Sequence, residues 1–149
     1  MARLDKILAI VGVDEIFIGL NDLHISMGLT FMFETLSGGL VEYIAQKCNK
    51  VGMSFGFGGI ARIGEGDLPS ENILGEHMRL GSTSVILSRT FKGIVGVDRN
   101  ARKIDLVEEV QKVRSRLQEI SQWTEAEYKE NCKKIATAVD VVVNKILNK

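Results

Sequence analysis

The sequence predicts an α/β fold in which three parallel strands with intervening helices are followed by a C-terminal pair of helices. Three short β-rich runs alternate with helical stretches over the first hundred residues, and this alternation is typical of βα units on a parallel sheet. The runs are apolar at nearly every position, as expected for strands covered on both faces. We therefore expect three buried strands, at Glu15 to Gly19, Met53 to Phe57 and Thr83 to Ser88.

Helical periodicity and helix-ending residues define the elements between these runs. A short helix is predicted over Arg3 to Val11, and Gly12 ends it. A second helix is centred on Leu40 to Lys50, where apolar residues recur at helical spacing. A third covers Pro69 to Leu80, because proline suits the first turn and Gly81 follows the last residue.

The composition changes toward the C-terminus: glycine nearly disappears past Gly96, and long charged helices are predicted. This change indicates a boundary near residue 100. We divide the chain into residues 1–100, the α/β region, and residues 101–149, a helical hairpin. A T-x-x-E capping box at Thr124 and Glu127 starts the second helix, so the joint lies near Ser121 to Trp123. We expect the hairpin to serve packing, and its seam can also bind a partner. The two apolar seams are Leu106, Val110, Val113, Leu117 and Ile120, and Tyr128, Cys132, Ile135, Val139, Val142 and Ile146.

Charge and composition exclude several classes of function. Nineteen basic and nineteen acidic residues cancel, so no long-range positive field attracts nucleic acid or an anionic membrane. The sequence contains neither a membrane-spanning apolar segment nor a signal-peptide core, and we expect a cytoplasmic protein. Cys48 and Cys132 lie far apart in unlike contexts, which favours reduced thiols over a disulfide.

The stretch IFIGLNDLHISMGL, residues 16–29, is the most informative for function. A predicted strand ends at Gly19 and is followed by the Asn21–Asp22 pair. The pair thus lies at the C-terminal end of the strand, where α/β proteins bind ligands. Asp22 can offer an oxygen ligand to Mg²⁺ or Mn²⁺, and the free backbone N–H groups of Asn21 and Asp22 can hold a carboxylate. The alternative is that the pair forms only a turn or a helix cap.

A second stretch, FGFGGIARIGEGD at residues 55–67, places five glycines and Arg62 just after a strand. Gly56, Gly58 and Ala61 match a G-x-G-x-x-A pattern, but later glycines and a proline break the helix that a dinucleotide site requires. We interpret the stretch as a loop lining a small-anion pocket, with Arg62 contacting a carboxylate or phosphate. An ordinary flexible loop is the alternative.

Two histidines have different expected roles. His77 lies on the apolar stripe of a predicted helix and is expected to be a core residue. His24 follows the Asn-Asp pair, where it could act as a general base or simply lie on an exposed loop.

The motifs quoted above, with EHMRLGSTSVILSRTF at residues 76–91, resemble the HpcH/HpaI-type 2-oxo-acid aldolases and the citrate-lyase-like enzymes. The resemblance runs from about Arg3 to Phe91. It implies a (β/α)₈ TIM barrel in which Asp22, as the aspartate of the GxxDL motif, is one of two protein ligands of Mg²⁺ or Mn²⁺. It also implies that the backbone amides of Asn21 and Asp22 grip the carboxylate of a small 2-oxo-acid substrate.

This chain corresponds to only the last three βα units of such a barrel, because a complete one takes about 250 residues. The second metal ligand, a carboxylate-binding arginine and the catalytic histidine have no matching position, so no catalytic residue is assigned. We expect either a truncated chain or one piece of a split enzyme.

The resemblance predicts a metal-dependent carbon–carbon lyase that cleaves a hydroxylated 2-oxo acid through a pyruvate enolate and is incomplete as this single chain. The alternative function is a non-catalytic fragment that self-associates or docks onto a missing N-terminal half. A homo-oligomer is expected, with the hairpin of this chain or of a neighbour covering the sheet face that would form the barrel interior.

Overall fold

A computed structural model describes residues 3–92 and 104–148, which form a mixed α/β structure with a three-stranded parallel sheet. The proposed boundary near residue 100 lies outside the described residues. The regular elements are α1 (Leu4–Leu8), β1 (Glu15–Ile18), α2 (Leu20–Ser26), α3 (Glu34–Ser37), α4 (Leu40–Lys50), β2 (Ser54–Ile60), α5 (Ser70–Leu80), β3 (Ser84–Leu87), a 3-10 turn (Arg89–Lys92), α6 (Leu106–Ile120) and α7 (Glu125–Leu147).

The sheet has the order β1-β2-β3, and both pairings are parallel, as the βα alternation predicts. The β1–β2 register runs from Glu15 opposite Ser54 to Ile18 opposite Phe57. The β2–β3 ladder is interrupted between Gly56 and Gly59. Strand β2 itself is longer than predicted: it continues past Phe57, through the glycines, to Ile60.

The expectation that all three strands are buried is correct only for the central one. Phe55, Phe57 and Ile60 of β2 have no exposed surface, whereas Phe17 of β1 is 41% exposed and Ile86 of β3 is 57% exposed. Among the described residues, each outer strand has a strand neighbour on one side only, and these two side chains are left partly uncovered. An apolar strand sequence indicates that the strand is stabilised by burial, but it does not show whether residues of the same chain bury it.

The two faces of β2 contact different parts of the protein. On one face the ring of Phe57 stacks on His77 of α5, with ring centroids 3.8 Å apart. On the other, a Cβ built on Gly56 would lie 2.2 Å from Ser84 Oγ and 2.9 Å from Phe17 Cδ2. Gly56 is thus required because side chains of both outer strands close over the central strand. We call this second side, formed by Glu15, Phe17, Gly56, Ser84 and Ile86, the open face of the sheet.

The helical hairpin packs on helices, which corrects the expectation that this chain's own hairpin covers the sheet. Helix α7 contacts α5 and α3, and α6 contacts α5. Ile135 and Val139 of α7 are each 1% exposed, which confirms the centre of the predicted seam. Leu106 and Ile146, at the outer ends of the two predicted seams, are exposed, so the seams are shorter than predicted. The capping box is also confirmed: Thr124 Oγ1 accepts from the N–H of Glu127, whose carboxylate accepts from the N–H of Thr124. Covering of the open face by a neighbouring chain stays a prediction.

Two further expectations bear on the environment of the chain. Cys48 and Cys132 are free thiols, as predicted. Within the described residues, none of the helices has the length and apolarity needed to cross a membrane.

Candidate functional site

The Asn21–Asp22 pair lies in the first turn of α2, which begins directly after the end of β1. The first intrahelical bond joins the N–H of Leu23 to the carbonyl of Gly19, so the N–H groups of Asn21 and Asp22 precede the regular helix bonds. Both side chains are exposed. The pair is therefore part of a helix start, as the alternative interpretation expected, and the Asp22 side chain is open to solvent.

Gly19 leaves room for the Asp22 carboxylate in its present position. A Cβ at residue 19 would lie 2.9 Å from Asp22 Oδ2, because the aspartate side chain turns back over the start of the helix. Asp22 also lines a shallow groove together with Ile18, Leu23 and Ile44.

Within the described part of the chain, Asp22 has no cluster of further metal-ligating side chains around it. Among residues 3–92 and 104–148, no group of three or more His, Cys, Asp or Glu side chains is placed to hold a metal ion. Mg²⁺ is usually held by one or two carboxylates together with oxygens of a ligand and water. The exposed Asp22 carboxylate can fill one of these positions.

Arg62 is held firmly by its backbone and paired through its side chain. Its N–H donates to Thr90 Oγ1 at 3.0 Å, and Ser70 Oγ donates to its carbonyl oxygen at 3.0 Å. The guanidinium Nη2 forms an ion pair with Glu65, while Nε is buried without a partner among the described residues. Any anion that binds Arg62 through Nη2 must compete with Glu65.

Asp22 and Arg62 follow neighbouring strands at the same edge of the sheet, because parallel strands end on one side. No hydrogen bond or ion pair within the described part of the chain joins their side chains. The structure thus places both residues at the predicted edge and brings neither into contact with the other.

The glycine-rich stretch is mainly strand rather than loop. Residues 56–60 belong to β2, so no helix begins within the glycines, and the rejected dinucleotide fingerprint has no structural basis here. After β2 the chain lines a cavity of about 230 Å³ at the strand ends. Arg62 is not among the residues that form its wall. The wall contains Ile60, Leu68 and Ile73, with Ser88 and Thr90 at one side.

The structure separates the two histidines. His77 is 4% exposed, and burial lowers its pKa to about 4, which confirms the core assignment. Its Nδ1 lies 2.8 Å from Ser82 Oγ, and its Nε2 is buried without a partner among the described residues. His24 is half-buried on α2, with Nδ1 3.3 Å from the carbonyl oxygen of Leu20. It therefore lies on a helix rather than on an exposed loop.

Sequence reasoning missed several polar residues of this edge. Glu65 was overlooked as the partner of Arg62, although three-residue spacing is compatible with such pairs. Ser70 and Thr90 were overlooked as the groups that fix the Arg62 backbone. The signal for Ser88 and Thr90 was their position directly after the third strand, where ligand-binding side chains are found in parallel sheets.

Comparisons with protein-family models, with curated proteins and with solved structures found no match for this chain.

Proposed function

We propose that this chain forms the last three βα units of a (β/α)₈ barrel that belongs to a divalent-metal-dependent carbon–carbon lyase. An additional polypeptide segment supplies the other strands, the second metal ligand and the remaining catalytic groups. The substrate class is a hydroxylated 2-oxo acid, which is cleaved by a retro-aldol reaction to give pyruvate. The proposed location is the cytoplasm.

The observation that carries the proposal is the placement of Asp22 directly beyond β1, on the edge where parallel sheets bind ligands. Its carboxylate is exposed, and Gly19 leaves room for it to turn toward the helix start. The resemblance of residues 16–29, 56–66 and 76–91 to HpcH/HpaI-type aldolases supports the assignment of the reaction. The parallel order of the three strands is also the order that consecutive units of such a barrel require.

The chain's own residues have three proposed roles in substrate binding. The N–H groups of Asn21 and Asp22 donate to the substrate carboxylate, and the Asp22 side chain holds Mg²⁺ or Mn²⁺. Arg62 contacts a carboxylate or phosphate once Glu65 releases its guanidinium. A bound metal would supply a Lewis acid that stabilises negative charge on the 2-oxo oxygen.

Calorimetric titration with Mn²⁺, in the presence and absence of oxalate, tests the proposal on the chain as it exists. Oxalate carries the carboxylate and adjacent oxygen that would chelate the metal. We expect weak Mn²⁺ binding alone and binding at least about tenfold tighter with oxalate, because oxalate supplies ligand oxygens that one carboxylate lacks. Asp22→Asn should remove the oxalate effect, whereas Asp14→Asn, at an exposed acid before β1, should retain it. Equal behaviour of Asp22→Asn and the wild type would contradict the proposal.

The open face of the sheet favours a second candidate function, association without catalysis. Phe17 and Ile86 are apolar and exposed on this face, and the outer edges of β1 and β3 have no strand neighbour among the described residues. Unpaired strand edges and exposed apolar surface recruit partners. In this alternative the chain self-associates or docks onto a partner and binds no metal, so the Mn²⁺ titration separates the two functions.

A further inference from the structure

The cavity at the strand ends has walls that are mainly apolar. Ile60, Leu68 and Ile73 are each at most 3% exposed and contribute to its lining, together with Phe33 from the segment before α3. The strand end, the loop after it and the first turns of α5 thus meet around one space. We call this space the strand-end cavity.

The volume of the strand-end cavity limits the size of the group that it can enclose. It measures about 230 Å³, and a water molecule occupies about 30 Å³ in the liquid, so the space corresponds to roughly seven or eight waters. This is smaller than the 300–1,000 Å³ typical of sites for drug-sized molecules. A group of about four to seven heavy atoms fits it.

Two hydroxyl groups give the strand-end cavity a hydrogen-bond donor. Ser88 Oγ and Thr90 Oγ1 lie 3.0 Å apart, and Thr90 Oγ1 already accepts from the N–H of Arg62. The bond between the two hydroxyls uses one of their two hydrogens. Among the hydrogen bonds of the described residues, the other hydrogen has no acceptor, so it is free to donate to a ligand oxygen.

The charge around the cavity disfavours an anion. Asp67 is exposed and lines the cavity, and none of the described residues in the wall is a lysine or an arginine. A carboxylate or phosphate placed here would meet a like charge and lose its hydration without gaining a cationic partner. The cavity therefore differs from the small-anion pocket that the glycine-rich sequence suggested.

We propose that the strand-end cavity binds a small, uncharged and mainly apolar group that carries one hydroxyl or carbonyl oxygen. Ser88 or Thr90 donates to that oxygen, and the aliphatic walls hold the carbon chain. This binding specificity rests on the structure of the cavity alone.

Methyl-resolved NMR of isoleucine- and leucine-labelled protein tests the binding, with 1-butanol and butyrate as probes of equal chain length. We expect 1-butanol to cause saturable shifts of the methyl signals of Ile60, Leu68 and Ile73, and butyrate to bind at least tenfold more weakly. Ala61→Leu should block the cavity, because Ala61 lines it, whereas Ala126→Leu on the exposed start of α7 should bind as the wild type does.

Ser88→Ala gives a second readout that does not depend on the fold of the blocked variant. We expect it to weaken 1-butanol binding severalfold while the affected methyl signals stay the same. The proposal is overturned if no alcohol-dependent shift saturates, if butyrate binds as tightly as 1-butanol, or if a folded Ala61→Leu variant retains binding. No metal is present in this experiment, so failure here is distinct from failure of the Mn²⁺ titration.

Discussion

The side chain of Asn131 on α7 donates a hydrogen bond to the carboxylate of Glu76 on α5, with Nδ2 and Oε1 3.3 Å apart. The same Nδ2 lies 2.9 Å from the carbonyl oxygen of Asn72, and Cys132 Sγ donates to Glu76 Oε1 at 3.1 Å. Glu76 and Asn131 are each 3% exposed. Polar groups buried in this way fix how the hairpin sits on α5, because any shift leaves them without partners.

Glu76 is also the buried end of a charged network. Its Oε2 accepts from Nε and Nη2 of Arg79, at 3.0 and 2.8 Å, and Arg79 further pairs with Glu42 on α4. The hydrogen bond from Arg79 lowers the pKa of Glu42. Burial, and to a smaller extent the hydrogen bond to Glu76, raises the pKa of the Cys132 thiol to about 11. One network therefore joins α4, α5 and α7.

Glu76→Ala should lower the free energy of unfolding by about 2–4 kcal/mol, because it leaves buried donors without their acceptor. Urea denaturation followed by circular dichroism measures this change. Glu130→Ala, at an exposed position of α7, is the matched control and should leave the midpoint unchanged within error. Equal midpoints for the two variants would show that the network does not stabilise the fold.

Val139→Asp should unfold the chain or detach the hairpin, because it places a carboxylate in the apolar seam against α5 and α3. Val141→Asp is a matched control two residues along the same helix, at a side chain that is 62% exposed. Thermal melting should show a large loss for the first variant and little change for the second. An unchanged melting temperature for Val139→Asp would show that packing of this seam does not stabilise the protein.

His77 should make stability depend on pH between about 4 and 6.5. Its folded pKa is about 4 and its ordinary value is 6.5, so in this window the unfolded chain binds a proton that the folded chain does not. Stability is then complete above pH 6.5 and decreases as the pH falls toward 4, by about 3 kcal/mol in all. His77→Phe keeps a ring against Phe57 and should remove this part of the pH dependence.

Urea midpoints measured from pH 7.5 to 4 for the wild type and for His77→Phe isolate the histidine contribution, since carboxylate titrations are common to both. Parallel curves for the two proteins would rule out His77 as the cause of acid sensitivity.

Association through the open face should be visible at micromolar concentration by light scattering. Ile86→Lys should reduce the mean mass, because it places a charge on the open face beside an unpaired strand edge. Val51→Lys, at the end of α4, is the control, since Val51 is also 57% exposed but lies away from that face. A monodisperse 16.5 kDa monomer of the wild type would disprove the predicted self-association.

Local sequence signals account for much of the fold. Helix α4 occupies the predicted residues 40–50, α5 ends at Leu80 before Gly81, and the Thr124 cap starts α7 as expected. The ends of these helices are set by apolar periodicity, glycines and capping residues that lie within a few positions of one another. Such local signals can be read directly from the sequence. The parallel direction of the three strands follows from the same alternation.

Features that depend on distant residues could not be predicted in this way. Glu76 and Asn131 are 55 positions apart, and nothing near either residue identifies the other. Gly75 shows the same limit: a Cβ there would lie 2.6 Å from Asn131 Nδ2, so this glycine permits close helix contact. The exposure of Phe17 was missed because an apolar strand looks alike whether its cover lies in the same chain or in another.

The location of Mn²⁺ in the presence of pyruvate tests the central claim most directly. Substoichiometric Mn²⁺ broadens backbone amide signals close to its binding site, so a two-dimensional NMR spectrum maps the metal on the chain. We expect strong, pyruvate-dependent broadening of the amides of residues 19–23, with little effect at Asp14 or Glu130, and loss of this pattern in Asp22→Asn. Broadening that is centred elsewhere, or that persists unchanged in Asp22→Asn, would contradict the assignment of Asp22 as the metal ligand.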